Sequence, residues 1–372
     1  MQIEIPFFGV DRQYANIREE ILTAIDQVYL SGKVLDGNKT KEFEQAIAVR
    51  TNREHAIAVN SCTQGLIFSL RSLRYFKKYR SSANKILIPA QSFIASVNAV
   101  VEANFEPIFC DVDALSGLMN LSKIPIPSNE LSAIMHVNLF GNMIDYDKLK
   151  VLQEIFIKDE IPIIEDAAQS FGASYKGQPS GSFGDVSCLS FDPTKNLSNY
   201  GSGGMILTDE EEIAIYCLNS RDNSKLDNHY GSGTNSKMSE SDCAQMLVKL
   251  KYFDGWQERR REIANYYSSE LNGLVQTPCP DKHVKHAWSR YVIHTTERKR
   301  LMYALTSVGV ETRIHYDPPL PLQSHRVRSD SCKDMFEGAI SFSDTCMSLP
   351  IYPELLDSEV ETVVRTIKNW VN

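Results

Sequence analysis

Residues 165–204 read EDAAQSFGASYKGQPSGSFGDVSCLSFDPTKNLSNYGSGG, and their reading decides the fold. The apolar run Ile161-Pro162-Ile163-Ile164 leads straight into Glu165-Asp166. A buried parallel strand of this kind delivers a carboxylate to the carboxyl edge of a sheet, where open α/β folds bind ligands. A second short strand is expected over 186–191. It stops at Asp192-Pro193, because proline cannot join a hydrogen-bonded ladder. Lys195 then sits on the loop beyond the strand end. Tyr200-Gly201-Ser202-Gly203-Gly204 follows, a flexible turn through which backbone can come close to a ligand.

A carboxylate and an amine at two strand ends suit a carbonyl cofactor held as a Schiff base. Lysine forms such imines with pyridoxal 5'-phosphate (PLP), and an acidic partner keeps the pyridine nitrogen protonated. Taken alone, the pair also reads as a surface lysine and a helix-capping aspartate. The flanking residues decide between the two. EDAAQ, then G-x-x-Y-K-G, then SF-x-P-TKNL, then YG-x-GG resemble the DegT/DnrJ/StrS family of PLP-dependent sugar-nucleotide aminotransferases. Strand–helix alternation supports an α/β fold by itself. The resemblance implies more: PLP fold-type I (aspartate aminotransferase-like), with a mostly parallel central sheet. A large PLP-binding domain with the N-terminal arm would span residues 1–251, and a smaller α+β domain residues 252–372.

The bulk properties agree. The chain has 372 residues, 42% hydrophobic and 23% charged, as in soluble globular proteins. A net charge of −8 argues against non-specific nucleic-acid binding. No run approaches the ~18 apolar residues of a membrane span, and MQIEIPFFGVDRQY has no signal-peptide pattern. The eight cysteines are scattered without a C-x-x-C pair, which fits a reducing cytoplasm. Cys62, Cys110 and Cys188 are expected as small core residues, and no tandem repeat or long linker is evident.

Outward from the central stretch, the N-terminus begins extended. A helix then places Ile17, Ile21, Ile25 and Val28 on one face and ends at Ser31-Gly32. A strand over 55–59 runs into Asn60-Ser61-Cys62-Thr63-Gln64 and a helix. The free N–H groups of such a helix start suit a phosphate, and Thr63 is expected to cap it. By family position, Thr63 and Gln64 hold the PLP phosphate. KILIP (85–89) is the next strand, and Phe93 beyond it matches the aromatic that stacks on the cofactor ring. Strands are also expected over 107–113 and 133–141, with a helix over 145–156. Asn138 stands where the family often has histidine; it cannot titrate and receives no acid–base role.

The resemblance makes Asp166 the partner of the pyridine nitrogen, Gln169 a contact to the ring or its phenolic oxygen, Ser190 a phosphate ligand, and Lys195 the Schiff-base lysine and general acid–base. Asn235, in NSKM within a glycine-rich polar loop, matches an asparagine that reaches the PLP phosphate of a neighbouring subunit. That role implies a homodimer with shared active sites. His315 and Tyr316, in RIHYDPPL, are expected to border the nucleotide-sugar. Arg259-Arg260-Arg261 reads as a solvated face, HVKH (283–286) as an exposed loop rather than a metal site, and 310–316 as a strand.

The implied activity is transamination of a nucleotide-linked keto-sugar with glutamate as donor, for amino-sugar biosynthesis of the lipopolysaccharide or O-antigen kind. LSNYGSGG (197–204) is nearer the carbon 3 pattern LG-x-YG-D-GG than the carbon 4 pattern T-x-x-E-GG, although Ser202 replaces the usual aspartate. A dTDP-linked 3-keto-6-deoxyhexose is therefore expected, with 4-keto dTDP-, UDP- or GDP-sugars as the alternative. A non-catalytic PLP-binding regulator is a rival reading, against which no fused DNA-binding segment is evident. A nucleotide-binding α/β protein without PLP is another; it would need a glycine fingerprint after a first strand, and none is present.

Overall fold

A computed structural model describes residues 3–74, 83–124, 130–157, 161–229, 231–323 and 335–371. Cys332 and Tyr230 of the polar loop lie outside them. The strands are β1 His55–Val59, β2 Lys85–Pro89, β3 Glu106–Cys110, β4 Leu131–Val137, β5 Ile163–Asp166, β6 Ser174–Tyr175, β7 Gln178–Pro179, β8 Val186–Ser190, β9 Gly204–Thr208, β10 Val284–Lys285, β11 Tyr291–His294 and β12 Cys346–Leu349. The helices are α1 Val10–Ser31, α2 Asn38–Thr51, α3 Cys62–Ser72, α4 Ala95–Glu102, α5 Tyr146–Ile157, α6 Glu211–Ser220, α7 Glu240–Leu271, α8 Arg298–Ser307, α9 Leu320–Gln323, α10 Glu337–Thr345 and α11 Asp357–Val371.

Seven strands form the central sheet, in the order β1-β9-β8-β5-β4-β2-β3. β9 pairs antiparallel with both β1 and β8, and the other pairings are parallel. The mostly parallel α/β sheet expected from sequence is therefore present. β4, β5 and β8 are buried along their whole length, as parallel strands covered on both faces must be. The expected strands over 107–113 and 133–141 are shorter, ending at Cys110 and Val137.

This topology brings separate segments to one edge. β1, β4, β5 and β8 all end there, at Val59, Val137, Asp166 and Ser190. The antiparallel β9 starts there, at Gly204. Gly204 allows a close approach: a Cβ on it would lie 2.5 Å from Cys62 N and from Ser61 C. The first turn of α3 therefore rests directly on the start of β9.

A second core lies beyond the sheet. Ile263, Tyr267, Tyr291, Leu301, Met347, Val363 and Ile367 pack together, and Ile5 of the N-terminal arm joins them. The continuous helix α7 enters both cores. Met246, Leu250 and Phe253 pack on the sheet side, and Ile263, Ala264, Tyr267 and Leu271 on the other. The position 252 expected as a domain boundary thus falls inside a helix.

Three local expectations are corrected. Residues 310–316 form no strand; they make isolated bridges, Ile5 with Val310 and Arg313 with Ser348. Arg260 is buried, because helical periodicity places it beside Gln257, Ile263 and Ala264. Its Nη1 donates to the carbonyls of Trp288 (3.2 Å) and Ile351 (2.6 Å). His286 is buried as well, stacked on Trp288 with ring centroids 4.0 Å apart. Burial pushes its pKa down to about 3, while His283 is exposed. No group of metal-ligating side chains occurs among the described residues. Cys62, Cys110 and Cys188 are free, buried thiols, as expected.

Candidate active site

At the carboxyl edge of the sheet lies a cleft of about 320 Å³. Thr63, Phe93, Asp166, Gln169, Ser190, Lys195, His315 and Tyr316 all line it. Eight of the residues singled out in the sequence are thus brought together. Gln64 and Asn235 are not among the lining residues. Asn235 is exposed in its loop, bridged to Asp222 through the backbone.

Asp166 ends β5 and is 4% exposed. Ser96 Oγ donates to its Oδ2 at 2.8 Å, and Ala168 N to its Oδ1 at 3.1 Å. Burial raises its pKa, while these two bonds and the charge of Lys195 act in the opposite direction. The carboxylate is held in place by its donors and offered to a cationic or N–H partner in the cleft.

Lys195 lies on a turn that begins as an Asx turn. Thr194 N and Oγ1 both donate to Asp192 Oδ1, at 3.0 and 2.6 Å. The rest of the loop is pinned from outside. Asn196 Nδ2 donates to the Ala287 carbonyl at 2.7 Å, and Lys249 Nζ to the Ser198 carbonyl at 2.6 Å. Burial lowers the pKa of the Lys195 amine, and nearby Arg290 lowers it further. A larger fraction of neutral, nucleophilic amine follows.

Helix α3 is capped by Ser61, whose Oγ accepts from Gln64 N at 3.1 Å. Thr63 was expected as the cap; because the helix begins at Cys62, Thr63 falls inside the first turn. Its hydroxyl stays free for the cleft. Ser61, Cys62, Thr63, Ser190 and Ser202 together give the cleft a wall of hydroxyls and helix-terminal amides. Such a wall suits a phosphate.

Gln169 is held at both ends. Phe140 N donates to its Oε1, and its Nε2 donates to Tyr316 Oη, both at 3.1 Å. Phe93 is half exposed at the mouth, 5.7 Å from the Tyr316 ring. His315 Nδ1 meets Ser348 Oγ at 2.8 Å. Burial, with Arg290 and Arg313 nearby, drives its pKa down to about 2. His315 is therefore neutral at neutral pH. Asn138 donates to Glu165 Oε1 at 2.7 Å and accepts from Ile144 N at 3.1 Å.

Sequence reasoning missed Ser61, Ser96, Phe8, Arg290 and Arg313 as cleft residues. Ser96 lies 70 residues from the carboxylate it serves, so nothing in its surroundings could mark it. Arg290 carried a signal: it is a lone cation entering the apolar strand Tyr291–His294.

Amine, buried carboxylate and an anion-binding wall in one cleft fit PLP: Lys195 for its aldehyde, Asp166 for its ring nitrogen, the start of α3 for its phosphate. Site and sheet together define a lysine-dependent PLP enzyme of the fold-type I class. The comparisons with known proteins carry this to a family. The chain belongs to the DegT/DnrJ/EryC1/StrS aminotransferase family, whose model matches residues 15–368. It is 29% identical over 374 residues to the dTDP-3-amino-3,4,6-trideoxy-alpha-D-glucose transaminase of Streptomyces venezuelae, covering 98% of this chain and 96% of that one. It is 27% identical over 372 residues to the UDP-N-acetyl-3-dehydro-alpha-D-glucosamine 3-aminotransferase of Acidithiobacillus ferrooxidans, covering 99% and 98%. Among solved structures, S. venezuelae DesV in complex with a ketimine intermediate superposes with a TM-score of 0.91 at 28% identity, covering 100% of this chain and 99% of that one. The chain is thus a PLP-dependent sugar aminotransferase.

Proposed function

We propose that the enzyme moves an amino group from glutamate to carbon 3 of a nucleotide-linked keto-sugar, a dTDP-3-keto-6-deoxyhexose. The observation that carries the chemistry is the placement of the Lys195 amine and the Asp166 carboxylate in one cleft. For the sugar position, LSNYGSGG resembles the carbon 3 members, and Ser202 of that segment lines the cleft. The 3-amino sugar named for one relative and the 3-dehydro sugar named for another support the same position.

Bound PLP supplies an electron sink that acidifies the carbon bearing the amino group. Lys195 would hold the cofactor through Nζ, and once the donor amine has taken its place that Nζ would be free to act as a base. That Nζ takes the proton from the donor α-carbon and delivers it to the cofactor's C4′. In the second half the same atom moves the proton in reverse, toward the sugar. Asp166 keeps the ring nitrogen protonated, with Ser96 and Ala168 fixing its oxygens. Gln169 contacts the ring and Phe93 covers it. Thr63, Gln64 and Ser190 take the phosphate. His315 and Tyr316 border the sugar nucleotide.

Asn235, exposed and outside its own cleft, reaches the phosphate of a second copy, which makes the active unit a homodimer with shared sites. Residues 1–251 then form the PLP domain and 252–372 the small domain, sharing α7. Six buried free thiols suit the reducing cytoplasm. No helix among the described residues is long and apolar enough to cross a membrane.

The test is an assay of the purified enzyme with glutamate against 3-keto and 4-keto sugar nucleotides. Turnover restricted to 3-keto substrates is expected, and preference for a 4-keto sugar would move the reaction to carbon 4. Borohydride should fix the cofactor to Lys195, and a pyridoxyl label on another lysine would sink the mechanism.

A further inference from the structure

Arg290 is 6% exposed and forms no ion pair among the described residues. Its Nη1 donates to the carbonyls of Thr194 at 3.1 Å and Ser289 at 2.6 Å. Nε and Nη2 donate to nothing among the described residues. The guanidinium faces the cleft, with Cζ 4.9 Å from the centre of the Phe8 ring, and Phe8, Thr194 and Lys195 line the same space. A buried cation without an ion-pair partner is costly, and Asp192 acts on this one only from beyond ion-pair distance. A ligand anion would supply that partner. Two carbonyls anchor Nη1 and so fix the plane of the fork. The remaining Nε–Nη2 edge matches a carboxylate bidentately.

The position of Arg290 selects which anion. Its Nη1 is bonded to the carbonyl of Thr194, the residue before Lys195, and both side chains line the same cleft, so it lies beside the reacting atoms. The donor's α-carboxylate is bonded to the very carbon whose proton Lys195 removes. A nucleotide's diphosphate hangs from carbon 1 of the sugar, separated by ring bonds from the keto carbon. The cofactor phosphate belongs at the start of α3. Arg313 also lines the cleft, but Glu311 already neutralises it, accepting from Nε at 3.0 Å and Nη2 at 2.8 Å.

We infer that Arg290 binds the α-carboxylate of the amino donor. This rests on the transaminase reading with a carboxylated donor, and it adds the group that selects that donor.

The test uses the holoenzyme and only the first half-reaction, followed by the change in cofactor absorbance without any sugar. Glutamate is compared with 4-aminobutyrate, which keeps the amine and the distal carboxylate but lacks the α-carboxylate. Wild type should favour glutamate by about ten- to a hundredfold, the range for a hydrogen bond to a charged group. Arg290→Gln should lose that preference, with glutamate falling by that factor more than 4-aminobutyrate does. Arg290→Lys, which keeps the charge without the fork, should fall between. Equal loss of both donors, or no loss of either, would overturn the assignment. So would a wild type that uses 4-aminobutyrate as well as glutamate, a result that needs no variant to fold. In the reverse half-reaction with an amino-sugar nucleotide, Arg290→Gln should lose clearly less than it loses with glutamate, because there only the effect of Arg290 on the Lys195 amine is removed. A defect confined to that arm would place the bound anion on the sugar nucleotide and refute the donor assignment. A wild type inert to every carboxylated donor would instead overturn the donor reading itself, and the inference with it.

Discussion

Gly204→Ala tests whether the contact between β9 and α3 builds the anion-binding wall. The new Cβ would lie 2.5 Å from Cys62 N and Ser61 C and 2.8 Å from Ser61 O, all main-chain atoms of the helix start. Non-bonded atoms settle near about 3.5 Å, so something must move by roughly 1 Å. The strand cannot move alone, because Gly204 is paired with Val59 on one side and Ser190 on the other. The start of α3 therefore takes much of the shift, carrying Thr63 with it. Overpacking of this kind costs about 1–3 kcal/mol of stability. Losing one good hydrogen bond to the phosphate costs about 1.5–3 kcal/mol, or roughly ten- to a hundredfold in PLP affinity. The assays are urea unfolding of the apoenzyme and absorbance titration of the apoenzyme with PLP. Gly255→Ala is the control: Gly255 lies inside α7 with nothing within 4 Å of its Cβ position. That change should stabilise the protein by about 0.5–1 kcal/mol and leave PLP affinity alone. If Gly204→Ala matched wild type in both measurements, the close approach would carry no function and the phosphate would belong elsewhere.

Three further outcomes are expected. Asp166→Asn should keep the fold and slow transamination by about ten- to a thousandfold, the equivalent of the 1–3 pKa units an opposite charge confers; steady-state rates within a factor of about two would remove Asp166 from its role. Asn235→Ala should weaken PLP binding, and mixing its subunits with Lys195→Ala subunits should restore sites carrying both native residues; no recovered activity despite proven subunit exchange would refute the shared site. Lys249 is fully buried, and burial lowers its pKa to about 7, below the ~10.4 of an unfolded chain. The unfolded state then binds the extra proton between about pH 7 and pH 10, so this group makes stability rise with pH across that window. Lys249→Met should flatten the rise in urea midpoint over the same range, and an unchanged slope would show that the amine stays charged when buried.

Much of the site was legible because it follows strand ends. Apolar runs stop where carboxylate, hydroxyl or amine begins, so Asp166, Ser190 and Lys195 could be placed by counting along 161–195. Glu165 and Asp166 are neighbours with opposite fates, as alternation along a strand requires. Glu165 turns into a network with Asn138, Ser180 and Ser187, and Asp166 faces the cleft. Groups that arrive from distant segments were not legible. Arg260 and His286 were read as solvated from their polar neighbours, yet each is covered by packing that local sequence does not encode. Arg260 is capped by the carbonyls of Trp288 and Ile351, and His286 is covered by the Trp288 ring. The exact helix start also escaped: a two-residue difference moved the cap from Thr63 to Ser61 and changed which hydroxyl is free.

The loop carrying Lys195 draws its order from both sides of the molecule. From α7 come Lys249, on the Ser198 carbonyl, and Asp242, which accepts from Asn199 Nδ2 at 2.8 Å. From the segment leading into β11 come the Ala287 carbonyl, bonded by Asn196, and Arg290, bonded to the Thr194 carbonyl. The residues flanking the catalytic lysine are thus tied to the segment that also carries the unpaired guanidinium. If a donor carboxylate engages Arg290, its charge is met at a group already bonded to Thr194, the residue before Lys195. Burial is the main cause of the lowered Lys195 pKa and Arg290 adds to it; donor binding would then neutralise that added charge and raise the basicity of the amine. The increase would come as the amine is displaced from the cofactor and must accept the α-proton. One arginine can therefore select the donor and time the base, without any conformational change in the sheet.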